Sequence, residues 1–252
     1  MQAVIIAAGL GYRLRPYTEE RPKCLLEVGG KTILQRTLDN FQRSGVDRVA
    51  IVRGHMADKI SIPDVSYFEN TDYKNNNILR SLFYAEPAMD DSFIFTYSDI
   101  VYDVSVLEKL LHSTEDISVV VDRDWRSAYV GRDKHPITEA ELVKVEGGRI
   151  VKIGKDVVAT DEASGEFIGL GKFSKTGAKA LREEFHRLQT QYTGRPDQQF
   201  QHAKSFEKAY LTDMFQELID RGHTVAPVEI SKGWHDIDTE QDLERAARYL
   251  NH

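Results

Sequence analysis

Cysteine is almost absent from this 252-residue chain. Its one copy, Cys24, excludes an intrachain disulfide and makes a reducing cytosol the expected compartment. Long apolar runs are missing as well. No stretch approaches the roughly 18 apolar residues of a membrane-spanning helix. The N-terminal MQAVIIAAGLGYRLRP has no basic segment before its short apolar run, so no secretory leader is expected. Basic charge is in deficit: 33 Lys and Arg against 40 Asp and Glu leave a net charge of −7. That balance argues against a protein that coats nucleic acid or an anionic membrane, while permitting a small basic pocket for phosphates. The eight histidines show no metal-ligand spacing, and neither a G-x-S-x-G motif nor an internal repeat occurs. What remains is ordinary for a globular enzyme, and the chain is long enough to bury a substantial core.

Ala3 to Ala7 is wholly apolar, the pattern of a strand buried on both faces. A glycine- and proline-punctuated segment, 9–30, follows. Lys31 to Ser44 is expected to be a helix, with Ile33, Leu34, Leu38 and Phe41 on one stripe and Gly45 as its stop. Strands are expected at Val49 to Val52, Val65 to Phe68, Ser92 to Thr96 and Ile117 to Val121. Helices are expected at Asn77 to Ala85, capped by Asn75 or Asn76, and at Val104 to Leu111. This alternation implies βαβ units and a mostly parallel sheet. After Asp122 the pattern changes. Glu141 to Val145, Gly147-Gly148 and Arg149 to Ile153 read as a hairpin, and Glu166 to Phe173 and Val225 to Ile230 as strands. Lys175 to Leu188, Phe206 to Arg221 and Thr239 to Leu250 read as helices, the last with Thr239 and Asp242 in capping-box spacing. The polar stretch 190–204 reads as an exposed loop or a contact in a homo-oligomer. One domain over 1–252 is expected, with an α/β half for a nucleotide (about 1–122) and an α+β half for a second substrate (about 123–252).

The most informative segment is Ala7-Ala8-Gly9-Leu10-Gly11-Tyr12-Arg13-Leu14-Arg15-Pro16, continuing to Pro22-Lys23, directly after the first strand. Glycines there let the backbone present N–H groups to anionic oxygens, and Arg13 and Lys23 can neutralise phosphate. A dinucleotide fingerprint from Gly9 would need a small residue at Leu14. A P-loop ending in Gly30-Lys31-Thr32 would need glycine at Leu25. Both fail. The whole run AAGLGYRLRPYTEERPKCLLEVGGKTIL instead resembles the signature of the nucleotidyltransferases that activate sugar phosphates and phosphocholine. It fixes Gly9, Gly11, Arg13, Pro16, Pro22, Lys23, Gly30 and Lys31 together. Tyr12 departs from the small Thr or Ser usual in that family. The resemblance implies a Rossmann-like, mostly parallel mixed sheet flanked by helices (nucleotide-diphospho-sugar transferase-like). The implied activity is Mg2+-dependent transfer of a nucleotidyl group from an NTP to a phosphorylated small molecule, with release of pyrophosphate. Arg13 and Lys23 would be catalytic, and Ala8, Gly9 and Gly11 would cradle the nucleotide.

Moving a nucleotidyl group brings two anions together, which divalent cations and basic side chains make possible. Asp99 lies just beyond a strand end, where open α/β sheets bind ligands. Asp236 and Asp238 are spaced i, i+2 before the last helix, on one face of an extended segment. The resemblance assigns these three aspartates to the metal, although Asp238 or Thr239 could equally cap the last helix. It also assigns Lys155 to the acceptor phosphate, and Glu166 and Asp213 to the acceptor. A solvated lysine, an edge-strand charge and a solvated helix face are the respective bland alternatives. Asn75-Asn76-Asn77-Ile78-Leu79-Arg80-Ser81-Leu82 resembles the NNI-x-SL segment of the phosphocholine cytidylyltransferase branch, which places Asn77 and Ser81 near the nucleotide and favours CTP. An aromatic residue of the Trp125–Tyr129–Arg132 loop could hold a quaternary ammonium. Phosphocholine, an aminoalkyl phosphonate or another phosphorylated amine or amide is the favoured acceptor. A sugar 1-phosphate is the alternative, and a non-catalytic nucleotide sensor is the alternative of another class. Cys24, beside Lys23, is read as a packing residue.

Overall fold

The computed structural model describes residues 1–250. Strand Gln2–Ala7 lies at its centre because both its faces are apolar. Val4 and Ile6 pack with Leu79, Leu82 and Phe83 on one side, while Ala3, Ile5 and Ala7 pack with Leu34, Phe41 and Leu107 on the other. Arg48–Arg53 and Phe93–Tyr97 flank it in parallel, and Ser66–Glu69 continues the parallel order outside Arg48–Arg53. The second half of the chain joins the same nine-stranded sheet through a strand of opposite sense. Gly165–Phe173 pairs antiparallel with Phe93–Tyr97, Ile117–Asp122 and Leu142–Glu146, and the hairpin partner Arg149–Gly154 forms that edge. Ala226–Ile230 lies parallel to Ile117–Asp122. The result is the expected mixed sheet flanked by helices, and among the described residues no helix is long and apolar enough to cross a membrane.

Strand Gly165–Phe173 is therefore interior, and Glu166 is not on an edge. Its pairing with Ile117–Asp122 breaks between Phe167 and Gly171. Gly169 makes the break possible: its φ is +83°, and a Cβ there would lie 2.5 Å from the Tyr97 ring. The bend turns the residues from Glu166 to Gly169 toward a cleft at the carboxyl ends of the parallel strands.

A second feature brings the chain ends together. Ile100–Tyr102 pairs antiparallel with Trp234–Asp236, and Ile237 N donates to Asp99 O at 2.8 Å. The last helix, Glu240–Leu250, packs Leu243, Ala246, Ala247 and Leu250 against Leu14, Leu26, Val28 and Ile33. Thr239 and Asp242 form its cap: Thr239 N donates to Asp242 Oδ2 at 2.8 Å.

Several local expectations are corrected. Lys31 and Thr32 form a short strand against Glu27–Val28, and the helix begins at Ile33, with Thr32 Oγ1 accepting from Gln35 N at 3.0 Å. The helix Ile78–Phe83 has Asn77 at its N-cap position, not Asn75 or Asn76, and no side chain caps it. The stretch 190–204 is not simply exposed. The preceding helix runs from Lys175 to Tyr192, and Phe200 turns inward to pack on Tyr192 and Phe206.

Candidate active site

Two adjoining clefts of about 300 and 270 Å³ open past the carboxyl ends of the parallel strands. Ala8, Gly9, Gly11, Arg13, Lys23, Asn77, Ser81, Asp99 and Asp238 line the first. Lys155, Glu166 and Asp236 line the second, and Arg13, Asn77, Asp99 and Asp238 form the seam between the two.

The glycine-rich turn is built for its shape. Gly11 has a φ of +64°, and a Cβ there would crowd Thr18 and Lys23 at 3.2 and 3.4 Å. Thr18 Oγ1 closes the loop by donating to Gly11 O at 2.8 Å. A Cβ on Gly9 would meet nothing within 4 Å, so Gly9 faces open cleft. Tyr12, the departure from the family pattern, stands on the rim with the Arg15 guanidinium 4.5 Å above its ring.

Lys23 Nζ sits between two carboxylates from distant parts of the chain, 2.8 Å from Asp99 Oδ2 and 2.5 Å from Asp238 Oδ1. Arg13 Nη2 is 2.7 Å from the other Asp238 oxygen. Burial alone would lower the Lys23 pKa, but the two aspartates overcome it and hold the ammonium charged. Burial likewise opposes ionisation of Asp238, and Lys23 and Arg13 outweigh it, holding the carboxyl well below its usual value. Both Asp238 oxygens face the cleft cations, so capping the last helix falls to Thr239 and Asp242. Asp236 pairs with Arg132 Nη2 at 2.7 Å, yet burial, its largest influence, raises its pKa. Carboxylate oxygens from Asp99 and Asp238 thus converge on a single cationic atom. His135, Asp236 and Asp238 also bring one ligand atom each within 4.8 Å of one another. The all-oxygen pair Asp99 and Asp238 suits a hard divalent ion.

The second cleft is rich in acid. Glu166 Oε1 accepts from Tyr129 OH at 2.5 Å, while Oε2 is buried without a hydrogen-bond partner among the described residues. Burial holds this carboxyl well above its usual pKa, and the charge of Asp236 adds to the effect. Glu141 is pushed up to about 7 by burial; it accepts from Thr212 Oγ1 at 2.8 Å. Lys155 Nζ lies 2.9 Å from Glu139 and 5.0 Å from the centroid of the Tyr210 ring.

Asp213 is the one proposed site residue outside both clefts. Its carboxylate accepts from Tyr210 N at 2.7 Å and His202 N at 3.1 Å, capping the helix Leu211–Asp220 rather than facing solvent or ligand. Trp125 is likewise withdrawn: it is fully buried against Ala140, Leu142 and Val158 and offers no face to a ligand. Asp122 is occupied too, accepting from Trp234 Nε1 at 2.9 Å. Burial pushes the Cys24 thiol up to about 12, in keeping with a packing residue. Reading the sequence missed Tyr73, Asn76 and Ser98 in the first cleft and His135, Glu139, Glu141 and Tyr210 in the second. Glu139-Ala140-Glu141 did carry a signal, since two acids entering a buried strand have to face something polar.

A glycine-rich turn on a Rossmann-like sheet, closed by carboxylates from the far end of the chain, defines an enzyme that transfers nucleotidyl groups. The chain belongs to the MobA-like NTP transferase domain family, which matches residues 3–194. It is 31% identical over 255 residues to a CTP:phosphoglutamine cytidylyltransferase of Campylobacter jejuni, covering 97% of this chain and 98% of that one. A bifunctional IPC transferase and DIPP synthase of Aquifex aeolicus is 29% identical over 262 residues, which span 98% of this chain and about half (51%) of that protein. Among solved structures, an inositol-1-phosphate CTP transferase from T. maritima shares the fold with a TM-score of 0.74 at 20% identity, covering 99% of this chain and 94% of the other.

Proposed function

We propose that this nucleotidyltransferase is a cytidylyltransferase: it joins CMP from CTP to the phosphate of a small acceptor and releases pyrophosphate. The observation that carries the reading is Lys23, ion-paired to both Asp99 and Asp238 at the seam of the two clefts. In this reading the half at about 1–122 binds the nucleotide and the half at about 123–252 the acceptor. An acceptor phosphate oxygen attacks the α-phosphorus as the bond to pyrophosphate breaks. No covalent enzyme intermediate is needed, because the attacking group is already an anion. Catalysis is then positioning and charge neutralisation.

Asp99, Asp236 and Asp238 would hold Mg2+, which when bound neutralises phosphate charge. Lys23 and Arg13 bring positive charge to the triphosphate. Lys155 orients the acceptor phosphate. Two observations favour CTP. The relative that matches almost end to end bears CTP in its name. Asn77 spends its Nδ2 on Lys208 O, while Oδ1 has no hydrogen bond among the described residues and can accept from the cytosine amino group, which uracil lacks. The acid-rich second cleft, with the free buried oxygen of Glu166, favours an acceptor bearing an amine or amide N–H over a plain sugar phosphate.

The test is a pyrophosphate-release screen of CTP, UTP, dTTP and GTP against phosphocholine, aminoalkyl phosphonates, phosphorylated amides and sugar 1-phosphates, with and without Mg2+. The expected maximum is CTP with an aminated or amidated acceptor and Mg2+. Tight CTP binding with no release from any pair would establish a nucleotide sensor instead.

A further inference from the structure

We infer that Arg132 is the positioning residue for the acidic segment Trp234-His235-Asp236-Ile237-Asp238-Thr239. The assignment rests on the nucleotidyl-transfer reading for its meaning, though not for its geometry. Arg132 lies in the loop between Asp122 and Ala140, and its side chain is only 3% exposed. Its Nη2 donates to Asp236 Oδ1 at 2.7 Å and approaches His135 Nδ1 at 3.0 Å, while its Nε donates to Asp242 Oδ1 at 2.7 Å. Asp242 passes the restraint on. Its Oδ2 accepts from Asp238 N at 3.1 Å, Thr239 N at 2.8 Å and Thr239 Oγ1 at 2.9 Å. One guanidinium therefore fixes Asp236 directly and the backbone of Asp238 through the cap of the last helix.

The geometry requires arginine. Acceptors from two different residues are held at once by Nε and Nη2 of one rigid planar group, which a lysine ammonium on a flexible stem does not reproduce. Arg132 also stacks 5.2 Å from the Tyr129 ring, and Tyr129 holds Glu166 in the second cleft. The same side chain thus stands between the wall of the acceptor cleft and the carboxylates at the seam.

A purely architectural role for Arg132, tying loop to helix, is separable from this one. The loop has other ties to the same helix: Arg245 Nη1 donates to Val130 O at 2.8 Å and its Nη2 to Ala128 O at 2.9 Å, neither touching a cleft carboxylate. Arg245→Ala is therefore the control for loop anchoring. Arg132→Gln with Asp242→Asn replaces the buried ion pair by two neutral amides, and Arg132→Lys keeps the charge while losing the fork.

Three measurements on purified full-length protein decide the matter: melting temperature, the kcat and CTP KM of pyrophosphate release, and Mn2+ affinity by electron paramagnetic resonance with CTP and no acceptor. For the double variant we expect a cooperative melt, kcat lower by about 30-fold, CTP KM within threefold of wild type and Mn2+ binding about tenfold weaker. Arg132→Lys should fall between the double variant and wild type, and Arg245→Ala should keep kcat and Mn2+ affinity within twofold of wild type. Equal kcat and Mn2+ affinity in the Arg132 and Arg245 variants would reduce Arg132 to a loop anchor. Should the double variant not fold, wild-type values in Arg132→Lys would overturn the proposal on their own. If wild type releases no pyrophosphate at all, the functional reading fails, while selective loss of Mn2+ affinity in the Arg132 variants still supports the positioning role.

Discussion

The two clefts share a seam but are built on different principles. The first is lined chiefly by one stretch of chain, Ile6 to Cys24, which carries the backbone turn and two cations, with residues around Asn77, Asp99 and Asp238 completing it. The second is assembled from eight separated stretches, around Arg13, Asn77, Asp99, His135, Lys155, Glu166, Tyr210 and Asp236, and holds Glu141 and Glu166, whose carboxyl groups burial pushes toward protonation. In the proposed reading one cleft neutralises charge. The other offers acceptors and protonatable groups to whatever enters. Damage to the first should cost turnover with every substrate, whereas damage to the second should alter which acceptor is used or how pH acts.

The sharpest way to break this contrast is Lys23→Ala. It removes the cation that both Asp99 and Asp238 face, and kcat should fall by about 10²–10³ for all acceptors alike, as for loss of a preorganised charge-stabilising group. Thermal unfolding should remain cooperative; turnover within threefold of wild type would remove Lys23 from the chemistry. Asp236→Asn acts in the second cleft, next to the seam, and should raise the Mg2+ concentration for half-maximal rate by about tenfold or more. An unchanged metal titration would reject that assignment. Asn77→Ala is smaller. If Oδ1 reads the cytosine amino group, the preference for CTP over UTP should drop by about tenfold, one hydrogen bond's worth, with kcat on CTP little changed. Equal discrimination before and after would assign base selection to another group.

The same difference in construction explains what could be read in advance. The turn of the first cleft was legible because its residues are neighbours in sequence and their spacing is specific, and Asp99 because it follows a strand whose carboxyl end faces the crevice. Asp236 and Asp238 were legible as a local pair. The meeting of Asp238 with Lys23 was not written locally: it depends on Ile100–Tyr102 pairing with Trp234–Asp236 and on the last helix packing against Leu14 and Leu26. His135, Glu139 and Glu141 escaped notice because a residue's place in an assembled cleft follows from the path of a loop and the bend at Gly169. Asp213 was misplaced for the opposite reason. It is three residues from Tyr210, the spacing of a helix cap, and that local role accounts for its carboxylate in full.

The finest probe of the contrast is Glu141, whose carboxyl is raised by burial from 4.5 to about 7. The sign follows from proton counting. Below pH 4.5 the group is protonated in both folded and unfolded chains and pH has no leverage through it. Between 4.5 and 7 the unfolded chain has released the proton that the folded protein still holds. Raising the pH therefore favours unfolding, and above 7 both states are ionised and the loss is complete. Glu141→Gln lacks this titration. The melting temperature of wild type minus that of the variant should fall by a few degrees between pH 4.5 and 7 and then level off. A difference independent of pH across that window would show that Glu141 is ionised inside the fold, held there by Lys155 and Thr212. The second cleft would then be a site of fixed charge like the first.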